Sequence, residues 1–393
     1  MLKFLRFLFL VSVVAAPVFA QRDIGPIEVF ADHTIPVRVS GATPELNALA
    51  LQAFGSHGRY HLVASGYLFD VRFSPAGAGQ VRVEVAKGAA AGTSEVVSGP
   101  TTRAALLAAA DIAVVRTNGL GLRGFFTSRL VFIGERTGHK EVYTSDLFFG
   151  DVQQITRDRA IAMTPRWSPD GSRILYTSFY QSGFPDIFEI ALANYQRTTF
   201  VSFRGTNSGG RFSPDGRQAV MVLSGEGGPE IYVSNAQGRG VSRRTRSDSV
   251  KSSPCWSPDG SRLVFSCEPG PQLYIMPASG GSAQRVTYDI GGYCAEPDWS
   301  RAKPDKIAFT LRVGRNFQIG VLDLSSGHSQ QASHAPFDGI EPCWLPDGRH
   351  VVYTARTSRE SRICILDTES GRSIPVSPAS LGSVLQANVW SAR

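Results

Sequence analysis

Glu296 and Glu341 stand in matching contexts, each directly before a proline, Pro297 and Pro342. A facing pair of carboxylates is the raw material of general acid–base work and of glycosidic bond cleavage. Four aspartates, Asp170, Asp215, Asp259 and Asp347, share a second repeated context. His139, His328, His334 and His350 supply imidazoles that serve proton transfer or metal ligation when spacing brings them together. The spacings argue against both chemistries. Each aspartate lies between a proline and a glycine, where its side chain hydrogen-bonds the local backbone of a tight turn. These four histidines are scattered across the repeats, with no pair among them at ligand spacing such as His-x-x-x-His. Two like charges at equivalent positions read as repeat inheritance before they read as an acid–base pair.

Other reactive patterns are missing. No Gly-x-Ser-x-Gly elbow occurs, which removes the nucleophile that a peptidase of the prolyl oligopeptidase type requires. Gly209-Gly210 and Gly280-Gly281 fall between strands and do not form a phosphate-cradling loop. Cys255, Cys267, Cys294, Cys343 and Cys364 contain no Cys-x-x-Cys pair, and an odd count leaves at least one thiol free. Cys255 and Cys343 each precede a tryptophan and read as small buried repeat residues; a disulfide between neighbouring strands is the alternative. The expectation is no catalytic residue, no cofactor and no metal.

The elements that carry these residues follow a period. Trp167, Phe212, Trp256, Trp299, Trp344 and Trp390 are aromatic anchors separated by 45, 44, 43, 45 and 46 residues. Four are followed by Ser168-Pro169-Asp170-Gly171, Ser213-Pro214-Asp215-Gly216, Ser257-Pro258-Asp259-Gly260 and Leu345-Pro346-Asp347-Gly348. The repeat at Trp299 replaces that turn with Ser300 to Asp305. Each period reads as four strands: an anchor strand, a second such as Arg173 to Thr177, a third such as Ile187 to Ile190, and a short fourth around Ile155-Thr156 or Val286-Thr287. Four strands in about 44 residues make a propeller blade. Arg129 to Thr156 supplies three strands without an anchor, and Gln386 to Trp390 supplies an anchor strand without successors. Together they complete one blade. The fold class is mainly β, a six-bladed β-propeller closed by the C-terminal strand and preceded by a small α/β domain.

That front domain spans residues 21–124, and the propeller spans 125–393. Ile27 to Phe30, Ile35 to Val39, Tyr60 to Ala64, Tyr67 to Phe73 and Gln80 to Ala86 read as strands, with Pro75 to Gly79 as a hairpin turn. Thr43 before Pro44 starts a helix whose core face is Leu46, Leu49, Ala50 and Phe54, stopped by Gly55. Thr102 to Val115 is the second helix.

Lys3 and Arg6, an apolar stretch from Phe7 to Ala16 and small residues at Val18-Phe19-Ala20 read as a secretory signal peptide over residues 1–20, cleaved after Ala20. No Cys follows the cleavage point, so a lipid anchor is not expected, and no later apolar run is long enough to span a bilayer. Forty basic residues against 33 acidic ones are mixed along the chain. The densest basic run, Arg239 to Arg246, lacks interleaved aromatics and reads as a solvated strand edge, with no nucleic acid as partner.

With both halves in view, the chain resembles the TolB family of Tol–Pal envelope systems. Ala110-Asp111, Thr117 and Gly119, and then Gly124-Phe125-Phe126-Thr127-Ser128-Arg129-Leu130-Val131-Phe132-Ile133, look like that family's passage into its first blade. The resemblance implies a monomeric, non-enzymatic periplasmic adaptor. It would bind a Pal-type peptidoglycan-associated lipoprotein at one propeller mouth and support outer-membrane integrity, cell division and protein import. Its mature N-terminus would engage a TolA-type inner-membrane protein, although Gln21-Arg22-Asp23-Ile24 does not match the family's segment. The partner-binding loops matched by position are Ile161 to Thr164, Thr206 to Gly209, Lys251 to Ser253, Tyr293 to Glu296 and Asp338 to Glu341. The implied contacts are Thr164, Asn207, Ser208, Gly209, Lys251, Ser252, Tyr293, Glu296, Asp338 and Glu341. The competing reading is an exported propeller hydrolase or lyase acting on carbohydrate or cell-wall material.

Overall fold

The computed structural model describes residues 34–118 and 122–392. The leader, the run Ile27 to Phe30 and the segment Gln21 to Ile24 lie outside the described residues.

The front unit is a five-stranded sheet in the order Tyr60–Leu62, Ile35–Gly41, Phe69–Gly77, Gln80–Lys87, Thr93–Ser98. Helices Pro44–Ser56 and Thr102–Asn118 pack on it through Leu46, Leu49, Ala50, Phe54, Leu106 and Ala110. Thr43 caps the first helix, its hydroxyl accepting the Leu46 N–H at 3.3 Å, with Pro44 at the first helical position. Helix one passes Gly55 by one residue. The Pro75 to Gly79 turn is tighter than the sequence suggests, because the strand continues to Gly77, which pairs with Gln80. Strand Thr93–Ser98 escaped notice for a physical reason: it is an almost wholly exposed edge and shows no apolar alternation.

Asp111 ties this unit to the ring. Its carboxylate accepts the backbone N–H of Phe126 and Thr127 and the Thr127 hydroxyl, at 2.9, 3.1 and 2.6 Å. Phe125 and Phe126 are thereby sunk into one core shared by the helices and two blades. Arg103 from the second helix adds an ion pair to Asp146 in the ring.

Six four-stranded antiparallel sheets form the propeller. Their inner strands are Ala162–Trp167, Asn207–Phe212, Lys251–Trp256, Cys294–Trp299, Asp338–Trp344 and Val384–Trp390. Second strands such as Arg129–Gly134 and Gln218–Leu223 are apolar along their length because neighbouring blades cover both faces. The ring closes as the sequence predicts, with Val384–Trp390 beside Arg129–Gly134. One detail differs. Trp167 pairs with Ile174 and Trp344 with Val351, but the residue that pairs with the corresponding Leu130 is Val389. Trp390 is therefore one position beyond the true anchor site, which accounts for the longest of the five gaps. It serves as a latch instead. Its indole N–H reaches the Pro169 carbonyl at 3.0 Å, and its ring lies 6.1 Å from that of Trp167.

The short fourth strands end just before the threonines expected within them, at Gln153–Gln154 and Gln284–Arg285. Those threonines tie the end of each fourth strand to the third strand of the same blade. Thr287 Oγ1 accepts the Leu273 N–H at 3.1 Å and donates to Gln272 at 2.7 Å; Thr156 and Thr245 do the same with Glu141 and Glu230. Arg243, within the basic run, is paired with Glu230 and mostly covered, so that run is not uniformly a solvated edge.

Candidate functional site

An axial channel runs between the inner strands and has two unlike ends. Loops leading into the inner strands form a bulge mouth. The aromatic residues and Pro-Asp-Gly turns form the anchor end.

Every inner strand carries a register shift near its start. The residue at the shift has positive φ in all six blades: Thr164, Gly209, Ser253, Glu296, Glu341 and Gln386, between 50° and 66°. For non-glycine residues this backbone is strained by about 1–3 kcal/mol, so something must hold it. The holding groups come from the preceding blade. The Glu341 N–H donates to Glu296 Oε2 and Thr310 Oγ1, both at 3.0 Å. Thr354 Oγ1 accepts the Gln386 N–H, and Gln386 Oε1 accepts the Thr164 N–H at 2.7 Å. Thr177 Oγ1 accepts the Gly209 N–H, and Ser266 Oγ accepts that of Glu296. A belt of hydrogen bonds thus circles the mouth. It has a gap between Gly209 and Ser253, because glycine has no side chain and Val222 stands where four other blades place a hydroxyl (Thr177, Ser266, Thr310 and Thr354).

The paired glutamates are brought together, but as members of this belt. Burial, and then the Glu341 charge, push the Glu296 pKa up. Each carboxylate accepts a threonine hydroxyl, from Thr310 and Thr354, at 2.7 and 2.8 Å. Thr164, Ser208, Gly209, Ser252, Glu296 and Glu341 all line a 190 Å³ hollow at this mouth. The other positions behave differently. Asn207 is fully buried and spans its own loop, donating to Phe203 and Gly205 carbonyls and to Asp186. Lys251 is buried against Glu230 and Ser247. Both shape the rim from beneath. Tyr293 stacks edge-on with Phe317, and Asp338 accepts from Phe317 N–H and Arg356 on the outer slope. What the sequence reading missed is apolar. Of eight large hydrophobic side chains left exposed on the described ring, seven (Ile161, Tyr180, Phe184, Phe203, Val250, Tyr288 and Val313) are on loops or strand ends of the bulge mouth. Single exposed apolar residues carry no periodic signal, so only the assembled face reveals them.

The histidine reading changes too. His57, from the front unit, meets His350 and Asp347 at the anchor end, all buried, with potential ligand atoms within 4.8 Å. Asp347 also departs from its turn siblings. Asp170, Asp215 and Asp259 accept the hydroxyl of the turn serine, and Ser257 with Ser261 holds Asp259 down to about 2. Leu345 offers no hydroxyl, and Asp347 binds His350 Nδ1 at 2.6 Å. His350 Nε2 accepts the Gly58 N–H, and His57 Nε2 has no partner. With both His350 nitrogens engaged, the cluster as it stands is a packing joint between the two units. All five cysteines are free thiols, four of them buried.

Residues 119–393 match the family model of the TolB beta propeller domain. The chain belongs to this family. Among curated relatives, a protein TolB homolog of Chlorobium luteolum is 35% identical over 145 residues, 37% of this chain and 33% of the relative. The Tol-Pal system protein TolB of Bordetella pertussis is 32% identical over 149 residues, 38% and 34% of the two chains. These alignments span about a third of the curated relatives' own length. The crystal structure of TolB from Acinetobacter baumannii superposes with a TM-score of 0.78 at 22% identity, covering 93% of this chain and 97% of that one. Its fold therefore extends over the front unit as well as the TolB propeller.

Proposed function

We propose that this chain is a non-enzymatic periplasmic adaptor of the Tol–Pal type, exported by its leader and acting as a monomer. It docks a Pal-type lipoprotein on the bulge mouth and so supports outer-membrane integrity, division and import. The observation that carries this reading is the concentration of exposed apolar side chains on that one face, around a hollow bordered by Thr164, Ser208, Gly209, Ser252, Glu296 and Glu341. Apolar anchors around a polar hollow suit a protein partner whose affinity rests on a few residues. Tyr293 and Asp338 extend the contact, while Asn207 and Lys251 hold the loops that present it. Engagement of a TolA-type partner would fall to the N-terminal segment outside the described residues.

A hydrolase or lyase reading draws on Glu296, whose carboxyl is raised beside Glu341. Both carboxylates, however, are occupied, Glu296 by the Glu341 N–H and the Thr310 hydroxyl, Glu341 by the Thr354 hydroxyl and the Gln386 side-chain amide. Capture of the soluble domain of a Pal-type lipoprotein tests the adaptor reading. Phe184→Glu with Phe203→Glu is expected to weaken capture at least tenfold, and Tyr195→Glu at the opposite end to leave it unchanged. Equal capture by the double variant, at an unaltered melting temperature, overturns the assignment.

A further inference from the structure

The waist of the channel is lined by the residue preceding each anchor position: Arg166, Arg211, Cys255, Asp298, Cys343 and Asn388. Three of these share one task. Cys255 Sγ, Asp298 Oδ2 and Asn388 Oδ1 each accept the N–H of the next blade's Trp, at 3.3, 2.8 and 3.0 Å. An arginine has no acceptor and cannot take that part. Arg166 and Arg211 instead extend along the channel, and both border the hollows at its two ends. Arg211 finds Asp298. Arg166 has only the carbonyl of its neighbour Pro165, at 3.0 Å, and no carboxylate among the described residues. Arg301, from the irregular turn that replaces Pro-Asp-Gly, borders the same anchor-end cavity of about 550 Å³. Three guanidiniums thus border a cavity whose lining holds one carboxylate and several indole rings, Arg301 from its exposed rim.

We propose that the anchor-end cavity is a binding site for a small multivalent oxyanion, bearing phosphoryl or carboxylate groups, held by Arg166, Arg211 and Arg301. Planar guanidinium forks match two oxygens at once, which an ammonium does not. Asp298 orients Arg211 and leaves the other two free for ligand. Burial, followed by the Arg211 charge, lowers the pKa of Arg166, with the Asp298 and Glu341 charges opposing the shift. The cavity lies at the end of the channel opposite the docking face, and Arg301 borders it without reaching the mouth hollow.

The full chain is titrated with inorganic pyrophosphate and with citrate by calorimetry, against sodium chloride at matched ionic strength. At least one anion is expected to bind with one-to-one stoichiometry, and the stronger of the two identifies the preferred oxygen chemistry. Arg166→Gln and Arg301→Gln are each expected to weaken binding about tenfold or more while the ligand-free melting temperature stays within a few degrees. Arg166→Lys should recover only part of the loss, because charge returns without the fork. Binding of neither anion beyond the chloride control overturns the proposal, as does undiminished binding by the two glutamine variants. Lipoprotein capture by Arg301→Gln, whose side chain borders only the anchor-end cavity, should be normal, which separates failure here from failure of the adaptor reading.

Discussion

The two ends of the channel solve the same problem, closing a ring of six sheets, with different chemistry. At the bulge mouth strained backbone is held by polar side chains: Thr177, Ser266, Thr310, Thr354, Gln386 and Glu296. At the anchor end regular turns are clamped by large rings, and the front unit is packed against them through His57, His350 and Phe125. The mouth carries most of the exposed apolar side chains of the ring, whereas the anchor end is walled by indole rings and arginines around a larger cavity. The joint between the two units at the anchor end is made by dense ring packing, whereas the bulges at the mouth are held by polar contacts.

That contrast can be broken most severely at the seam. Removing residues 384–392 should abolish cooperative unfolding, because it leaves Arg129–Gly134 as a long apolar edge; circular dichroism melts would show whether a ring with five complete blades persists. Matched glycine substitutions then compare the ends directly. A Cβ on Gly171 falls 2.4 Å from the Trp390 ring at φ +71°, whereas on Gly209, at φ +66°, it meets only Pro254 at 3.8 Å. Gly171→Ala should cost about 3 kcal/mol, combining strain with overpacking. Gly209→Ala should cost about 1 kcal/mol from strain alone. Urea midpoints measure both, and equal costs would contradict the distinction between ring-clamped turns and looser bulges.

Acid should act on the anchor end first. Burial, then the charge of His350, keeps the His57 pKa well below its ordinary value, with Asp347 and Asp367 opposing the shift and Arg349 reinforcing it. The unfolded chain takes up this proton below about pH 6.5 and the folded chain does not, so stability falls with decreasing pH by up to about 1.4 kcal/mol per unit. Asp347 and Asp367, both held low in the folded state, add a second loss as pH falls below about 4. His57→Phe should flatten the first phase, read by the pH dependence of the urea midpoint. The smallest effect belongs to the mouth. Gln386→Ala removes the acceptor of the Thr164 N–H and a donor to Glu341, and should cost about 1 kcal/mol.

Much of this was legible in order along the chain. The period of the tryptophans, the Pro-Asp-Gly turns and the complementary fragments at Arg129 and Gln386 prescribe six blades and their closure, because each blade is a local unit repeated at fixed length. Thr43-Pro44 prescribes a helix start for an equally local reason. The edge strand Thr93–Ser98 was illegible because no face of it is buried, and the displacement of Trp390 was hidden because another aromatic stood one residue from the expected place. Site residues divided in the same way. Thr164, Glu296 and Glu341 could be matched by position, but the burial of Asn207 and Lys251 depends on neighbours that no spacing reports.

The sequence by itself thus determined the number of sheets, their turns and the pairing that seals them, since strand pattern and turn preference act over a few residues. Only the tertiary structure decided what converges on the axis. His57 meets His350, the arginines gather around a single aspartate, and scattered apolar residues become one face. Those encounters join positions from different blades or units, and their chemistry depends on burial and distance, which arise only when the ring closes.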